Sequence, residues 1–328
     1  MRPGSSTGRE MSFPDMHEKD NLYFKQITEE SLLTQRIRSD VLLLIHRFFS
    51  SQGFILVDPP VLHEYIPQKG NEIYLPFHRE KYSLNSSNAL YMGAYAALFE
   101  RVYAISPTFR DEQNSVNHLV EFRMLEVEAL GLTFAELPAL IDRFIVFLLK
   151  KLAALKNVQK NGALASRIDM LLESFHPQIE RYDDFILKIR QRGGPELGAG
   201  TDVSDVDYGV SKFLRDPVFI TDYPRHLASW TAKPKSGNKA IALNLLLPGS
   251  YGELCEGCER TNDVELLRYK MHCARISCLQ WYLDAIGRIS APRCGFGIGV
   301  DRLIRWISGL PCVQDSLLFP RTNRNKES

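Results

Sequence analysis

Between Ser31 and Gly53 apolar residues return at helical spacing, at Leu32, Ile37, Val41, Leu42, Leu44, Ile45 and Phe48, with polar and charged residues between them. This pattern predicts a long amphipathic helix that Gly53 stops. Phe54 to Val57 is a short apolar run closed by Asp58-Pro59-Pro60, which predicts a strand that the prolines end or hold at a sheet edge. From Val102 to Leu130 the period shortens to two, and the stretch reads as a hairpin whose polar loop runs from Asp111 to Asn117. On its second strand, alternation puts His118, Val120, Phe122, Met124, Glu126 and Glu128 on one face and Leu119, Leu125 and Val127 on the other. The second set suits a core. The first combines an imidazole, an aromatic ring and two carboxylates, with Arg110 and Glu112 at the end of the preceding strand, and has the make-up of a ligand-binding surface.

Thr133-x-x-Glu136 is a capping box that opens a helix running to about Leu155. Residues 156 to 215, which include the segment GGPELGAGTDVSDVD, read as a small helical insertion with a loop. Strands return at Val218 to Asp222 and at Ala240 to Leu247; a helix follows from about Asp263 to Ile286, and CGFGIGVDRLIRWISGL closes the fold. The organisation expected is a flexible leader over 1–25, one domain over 26–322 and a solvated basic tail over 323–328.

Composition narrows the partners. The 328 residues carry 40 Lys+Arg against 39 Asp+Glu, a net charge of +1, so no overall field draws the chain to DNA or to an anionic membrane. The longest apolar stretches, such as Phe144 to Leu149, are far below the roughly 18 to 20 residues of a membrane span. The leader has no apolar core of a secretory signal, and the six cysteines, all from Cys255 onward, are too few for a disulfide scaffold, so a cytoplasmic location is expected.

Phe109-Arg110-Asp111-Glu112 and His118-Leu119-x-Glu121-Phe122, then Thr221-Asp222-Tyr223-Pro224, Pro248-Gly-Ser-Tyr-Gly252-Glu253 and Gly295-Phe-Gly-Ile-Gly-Val-Asp301-Arg302, occur in this order, with Asp315 and Phe319-Pro320-Arg321 behind them. Over about residues 31 to 322 the chain resembles the catalytic domain of class II aminoacyl-tRNA synthetases, in the aspartyl/asparaginyl branch and closest to asparaginyl-tRNA synthetase. The resemblance implies a mixed α/β (α+β) fold, an antiparallel sheet flanked by helices, and a homodimer formed through the first helix.

It also implies chemistry. Attack of an amino-acid carboxylate on the α-phosphorus of ATP builds charge on phosphate oxygens, which fixed guanidinium groups stabilise. Arg110 matches the arginine that does this, and Arg302 the one near the γ-phosphate; Phe122 matches the ring on which adenine stacks, with Glu112 and His118 around the phosphates and adenine. Glu253 matches the glutamate that meets Mg²⁺, and Asn244 stands where the family has a second, acidic metal ligand. Arg260 matches the arginine that reads a β-carboxylate or β-amide, and Glu126, Asn88 and Gln68 complete the amino-acid site.

Several positions depart from the pattern. Besides Asn244, Asn117 replaces an arginine before the histidine, Glu256-Gly257 a glycine pair, Arg293-Cys294 a His-Gly pair, and Gln68 a glutamate. Tyr91 falls where aspartate enzymes carry a lysine, which favours a neutral side chain such as that of asparagine. Cys255-x-x-Cys258 has the spacing of a zinc or redox pair but no clean second pair downstream, and reads as small residues packed near the site. The leader is too short to encode the branch's anticodon-binding OB-fold, so the expectation is an ATP-dependent ligase that forms the adenylate of asparagine, aspartate or a close analogue. It would pass the acyl group to a small molecule, a peptide or a tRNA acceptor end not chosen by its anticodon. Asparagine synthesis from aspartate, ATP and ammonia is a second reading, and a catalytically dead binding protein a third, against which Arg110, Phe122, Glu253 and Arg302 argue.

Overall fold

The computed structural model describes residues 27–64, 73–77, 80–112, 115–196, 207–273 and 279–322. The leader, Gln68, most of the GGPELGAGTDVSDVD segment, Cys278 and the tail lie outside them.

Helix α1 (Glu29–Ser51) starts at Thr28, whose hydroxyl accepts from the Ser31 N–H while Ser31 answers the Thr28 N–H, and it buries the stripe Ile37, Val41, Ile45 and Phe49. Gly53 follows with φ +77°, a left-handed conformation that releases the chain into β1 (Ile55–Leu56). Next come β2 (Leu62–His63), β3 (Tyr74–Phe77) and β4 (Glu80–Leu84), which form a small sheet of their own, and α2 (Ala89–Phe99).

The hairpin is β5 (Arg101–Phe109) with β6 (Glu121–Leu130), antiparallel throughout. The capping box forms as expected, around a single 3₁₀ turn at Phe134–Glu136, and leads into α3 (Leu137–Ala153). Helices α4 (Lys156–Gln159) and α5 (Gly162–Ser174), strand β7 (Gln178–Arg181), and helices α6 (Tyr182–Gln191) and α7 (Asp207–Ser211) follow. The chain then makes β8 (Val218–Thr221), the two-stranded pair β9 (Pro234–Lys235) and β10 (Lys239–Ala240), β11 (Ala242–Leu247) and β12 (Gly252–Glu259). It ends with α8 (Val264–Cys273), α9 (Gln280–Ile286), β13 (Arg293–Gly299) and α10 (Val300–Ser308).

Eight strands make the main sheet in the order β1-β5-β6-β13-β12-β11-β8-β7, antiparallel except for the pair at each edge. One face carries the core: Phe49 of α1 lies 5.2 Å from both Tyr103 of β5 and Phe144 of α3, with Leu125, Val127, Phe296 and Ile298 in the same cluster. Rings of this size account for much of the burial energy, about 1.5–3 kcal/mol for each fully buried side chain. The other face of β6 and β13 is left for a cleft.

Two expectations change in detail. The segment 156 to 215 is largely helical, but it also supplies β7 to the edge of the main sheet, and Leu164, Ile168 and Leu171 of α5 belong to the central core, so it is built into the domain. The helix expected from Asp263 to Ile286 is two helices, α8 and α9. Among the described residues no helix is long and apolar enough to cross a membrane.

Candidate active site

Alternation on β6 sets the site. With Leu125 and Val127 in the core cluster, Phe122, Met124, Glu126 and Glu128 line a cleft. Arg110 enters at the end of β5: its Nε donates to the Ser86 carbonyl at 3.2 Å, Glu112 stands 3.7 Å from Nη1, and its Cζ lies 5.5 Å from the Phe122 ring centre. The guanidinium is thus aimed by a carbonyl, a carboxylate and a ring.

Arg302 enters from the first turn of α10. Its Nε donates to Asn117 O at 3.2 Å, its Nη1 to Glu253 O at 2.9 Å, and its Nη2 lies 3.1 Å from His118 Nε2. A guanidinium only donates, so His118 accepts on Nε2 and carries its proton on Nδ1, which faces the Ser115 hydroxyl at 2.6 Å. Asp301, next to Arg302, accepts from Arg38 of α1 at 2.5 Å and from the Arg123 N–H at 2.7 Å, and so ties the helix start to α1 and β6.

Glu253 lies in the cleft, 3.9 Å from Arg302 Nη1. The Asn244 amide, on the neighbouring strand β11, donates to Glu253 Oε2 and is not itself part of the cleft wall. Among the described residues no group of three or more His, Cys, Asp or Glu side chains could hold a metal. The donors present suit a hard cation brought in by a polyphosphate: Glu253 offers one carboxylate, and phosphate oxygens and water would complete the shell.

At the other end of the cleft Glu126 is buried. Its Oε1 accepts from the Asn88 N–H at 2.9 Å and the Ser87 hydroxyl at 3.2 Å; burial pushes its pKa up, against the pull of those bonds and of Arg110. Arg260 donates from Nε to Glu128 Oε2 at 3.3 Å and from Nη1 to Thr231 Oγ1 at 2.8 Å and Cys258 Sγ at 3.1 Å. Burial raises the Cys258 thiol to about 11, so it remains protonated beside the arginine. Cys255 and Cys294 are buried free thiols pushed up in the same way, and Cys273 and Cys312 are free as well.

Arg110, Glu112, His118, Phe122, Glu126, Glu253, Arg260 and Arg302 therefore share one cleft. Asn88 supports it from behind through its backbone N–H, Asn244 supports Glu253, and Gln68 lies outside the described residues. Tyr91 is not among the residues that line the cleft; its ring stacks on Trp281 at 5.2 Å. Glu128 and Arg293, 2.6 Å apart, were missed as a pair.

Residues 17–323 match the family described as tRNA synthetases class II (D, K and N). The chain belongs to that family. Its members are ligases that form aminoacyl adenylates, so this class II synthetase domain activates amino acids as a class, and both arginines line the cleft. Among solved structures it is similar to asparaginyl-tRNA synthetase from Pyrococcus horikoshii complexed with asparaginyl-adenylate, at 25% identity and a TM-score of 0.82, over 90% of this chain and 70% of that one. It also matches Entamoeba histolytica asparaginyl-tRNA synthetase at 21% identity and a TM-score of 0.81, over 90% of this chain and 68% of that chain. The aspartyl-tRNA synthetase of the same organism matches at 20% and 0.70, over 89% and 59%. The last two show the shared fold alone.

Proposed function

We propose that this domain forms the adenylate of asparagine, aspartate or a close analogue from ATP, releasing pyrophosphate. The observation that carries the reading is the placement of Arg110, Arg302 and the buried Arg260 in the lining of one cleft, with Glu112 and His118 between the first two. An oxygen of the substrate carboxylate bonds to the α-phosphorus as the bond from that phosphorus to the β-phosphate bridge breaks. Arg110 stabilises the charge that grows on the α-phosphate, Phe122 stacks the adenine, and Arg302, held by His118 and two carbonyls, receives the departing pyrophosphate. Mg²⁺ bound with ATP at Glu253 would supply further charge neutralisation. The Arg260 guanidinium holds the side-chain oxygen of the amino acid.

In the second step a hydroxyl or amine attacks the acyl carbon and AMP leaves. The acceptor in this reading is a small molecule, a peptide or a tRNA acceptor end. The working unit in this reading is a homodimer, supported by the apolar residues exposed on α1 and β1, Leu43, Ile55 and Leu56. The free thiols fit a reducing cytoplasm.

Amino-acid-dependent ATP–pyrophosphate exchange over the standard amino acids and aspartate analogues tests the proposal. One amino acid should support exchange, and Arg110→Ala and Arg302→Ala should each lower it by about 10²–10³-fold, the scale for a lost transition-state donor. Folded protein that neither exchanges nor binds ATP in a calorimeter would sink it.

A further inference from the structure

Glu128 touches two guanidinium groups at once. Arg260 Nε stands 3.3 Å from Oε2 and Arg293 Nη1 2.6 Å from Oε1, and the side chains of Glu128 and Arg293 are each 1% exposed. One negative and two positive charges leave a surplus of one positive charge where water is excluded. The remaining partners do not cancel it. Arg293 gives its other donors to Asn262 Oδ1 and Thr261 O, and Arg260 gives Nη1 to Thr231 and the Cys258 thiol, all of them neutral acceptors. Among the described residues Arg260 Nη2 makes no hydrogen bond, and Arg260, unlike Arg293, lines the cleft.

Two further carboxylates lie nearby. Glu126 is bound by Asn88 and Ser87, and the basic group that acts on it is Arg110. Glu256 lines the same cleft and acts on Arg260, but it is exposed, so solvent screens its charge far more than that of the buried Glu128. A buried charge without a counter-ion is costly, and the pocket floor becomes balanced when an anion reaches Nη2. The protein is shaped around this cluster from two further elements: a Cβ on Gly93 of α2 would come within 2.7 Å of Arg293 Nη1, and one on Gly295 of β13 within 1.8 Å of Glu128 Oε2.

We propose that Arg293 is a specificity-setting positioning residue: it neutralises Glu128 from behind, leaves Arg260 with an unbalanced charge, and so tunes the cleft to an amino acid with a short anionic side chain over its neutral amide isostere. The probes are L-aspartate and L-asparagine. The inference rests on the cleft being an amino-acid-activating site, and the test separates the two ideas.

Exchange kinetics on the full chain should show kcat/KM for aspartate above that for asparagine. Arg293→Met removes the charge at similar length, leaves Glu128 to cancel Arg260, and should move the aspartate-to-asparagine ratio at least tenfold toward asparagine, mainly through the KM for aspartate. Arg293→Lys should restore part of the ratio. If Arg293→Met does not fold, Glu128→Gln, which keeps both arginines, should raise the preference for aspartate instead. A wild type that prefers asparagine, or variants that lower both substrates equally, would overturn the proposal. If the wild type exchanges with neither, the adenylation reading fails, and calorimetry of the two amino acids binding to the wild type decides the pocket chemistry: tighter aspartate supports the inference, while equal, tighter asparagine or no binding overturns it.

Discussion

Nη2 of Arg302 and Nε2 of His118 lie 3.1 Å apart, which makes the imidazole an acceptor that fixes one branch of the guanidinium. Two carbonyls hold the other branches, so the arginine is aimed before any phosphate arrives. A hydrogen bond to a charged group is worth about 1.5–3 kcal/mol, and each 1.36 kcal/mol is tenfold in rate. His118→Phe should therefore lower kcat for exchange by about tenfold or more. His118→Gln, which can place an oxygen near the lost Nε2, should recover most of it; equal losses in both variants would show that the acceptor is not what matters.

The Asn244 amide donates to Glu253, which leaves a single carboxylate at the phosphate end of the cleft. Asn244→Asp would set two carboxylates side by side. A Mg²⁺ titration of exchange should show half-maximal activity at a lower metal concentration in the variant. In EDTA its melting temperature should fall below that of the wild type and recover when Mg²⁺ is added, because two like charges then gain a common counter-ion.

Burial raises the Glu126 carboxyl above its ordinary value, so the folded chain keeps this proton at pH values where the unfolded chain has released it. In that window the native state binds more protons, and stability falls as pH rises from the ordinary carboxylate range through the raised folded value. Glu126→Gln has no proton to lose. It should match or exceed the wild type in thermal stability at neutral pH, and the difference should shrink below about pH 4.3, where a free glutamate ordinarily titrates. Melting curves across pH check this, and a constant offset would remove the titration from the explanation.

Gly295→Ala would drive a methyl to within 1.8 Å of Glu128 Oε2 in a strand with no room to yield. Overpacking of this kind costs about 1–3 kcal/mol, and displacing a buried charged pair adds to it, so a loss of about 3 kcal/mol is expected in denaturant unfolding.

The parts legible in the sequence are those governed by near neighbours. The α1 stripe, the Thr133 capping box and the alternation of β6 follow from periods and caps written within a few residues, and the chain folds them as read, except that His118, Leu119 and Val120, expected on the strand, precede its start at Glu121. Helix α2 gave no such signal: ALYMGAYAALF is apolar around its whole circumference, so no face stands out. Strand β7, QIER, is polar and exposed, and becomes a strand only because β8 offers it an edge. The ATP end of the site was visible because its residues cluster in the hairpin and its echo in β13. The Glu128–Arg293 contact spans 165 residues, and no local pattern announces a partner so far away.

That separation bears on how the protein folds. The β5–β6 hairpin closes a short loop and can form early with α1 and α3, whereas β13 must return across more than half the chain to pair with β6, and long loops close late. The cleft lies along that last seam, with Glu128 and Arg110 on one side of it and Arg293 and Arg302 on the other. A partly folded or nicked chain that has its hairpin and helices but not its final strand would carry Glu128 without Arg293 and Arg110 without Arg302, so ligation is a capacity that arises only at the end of folding.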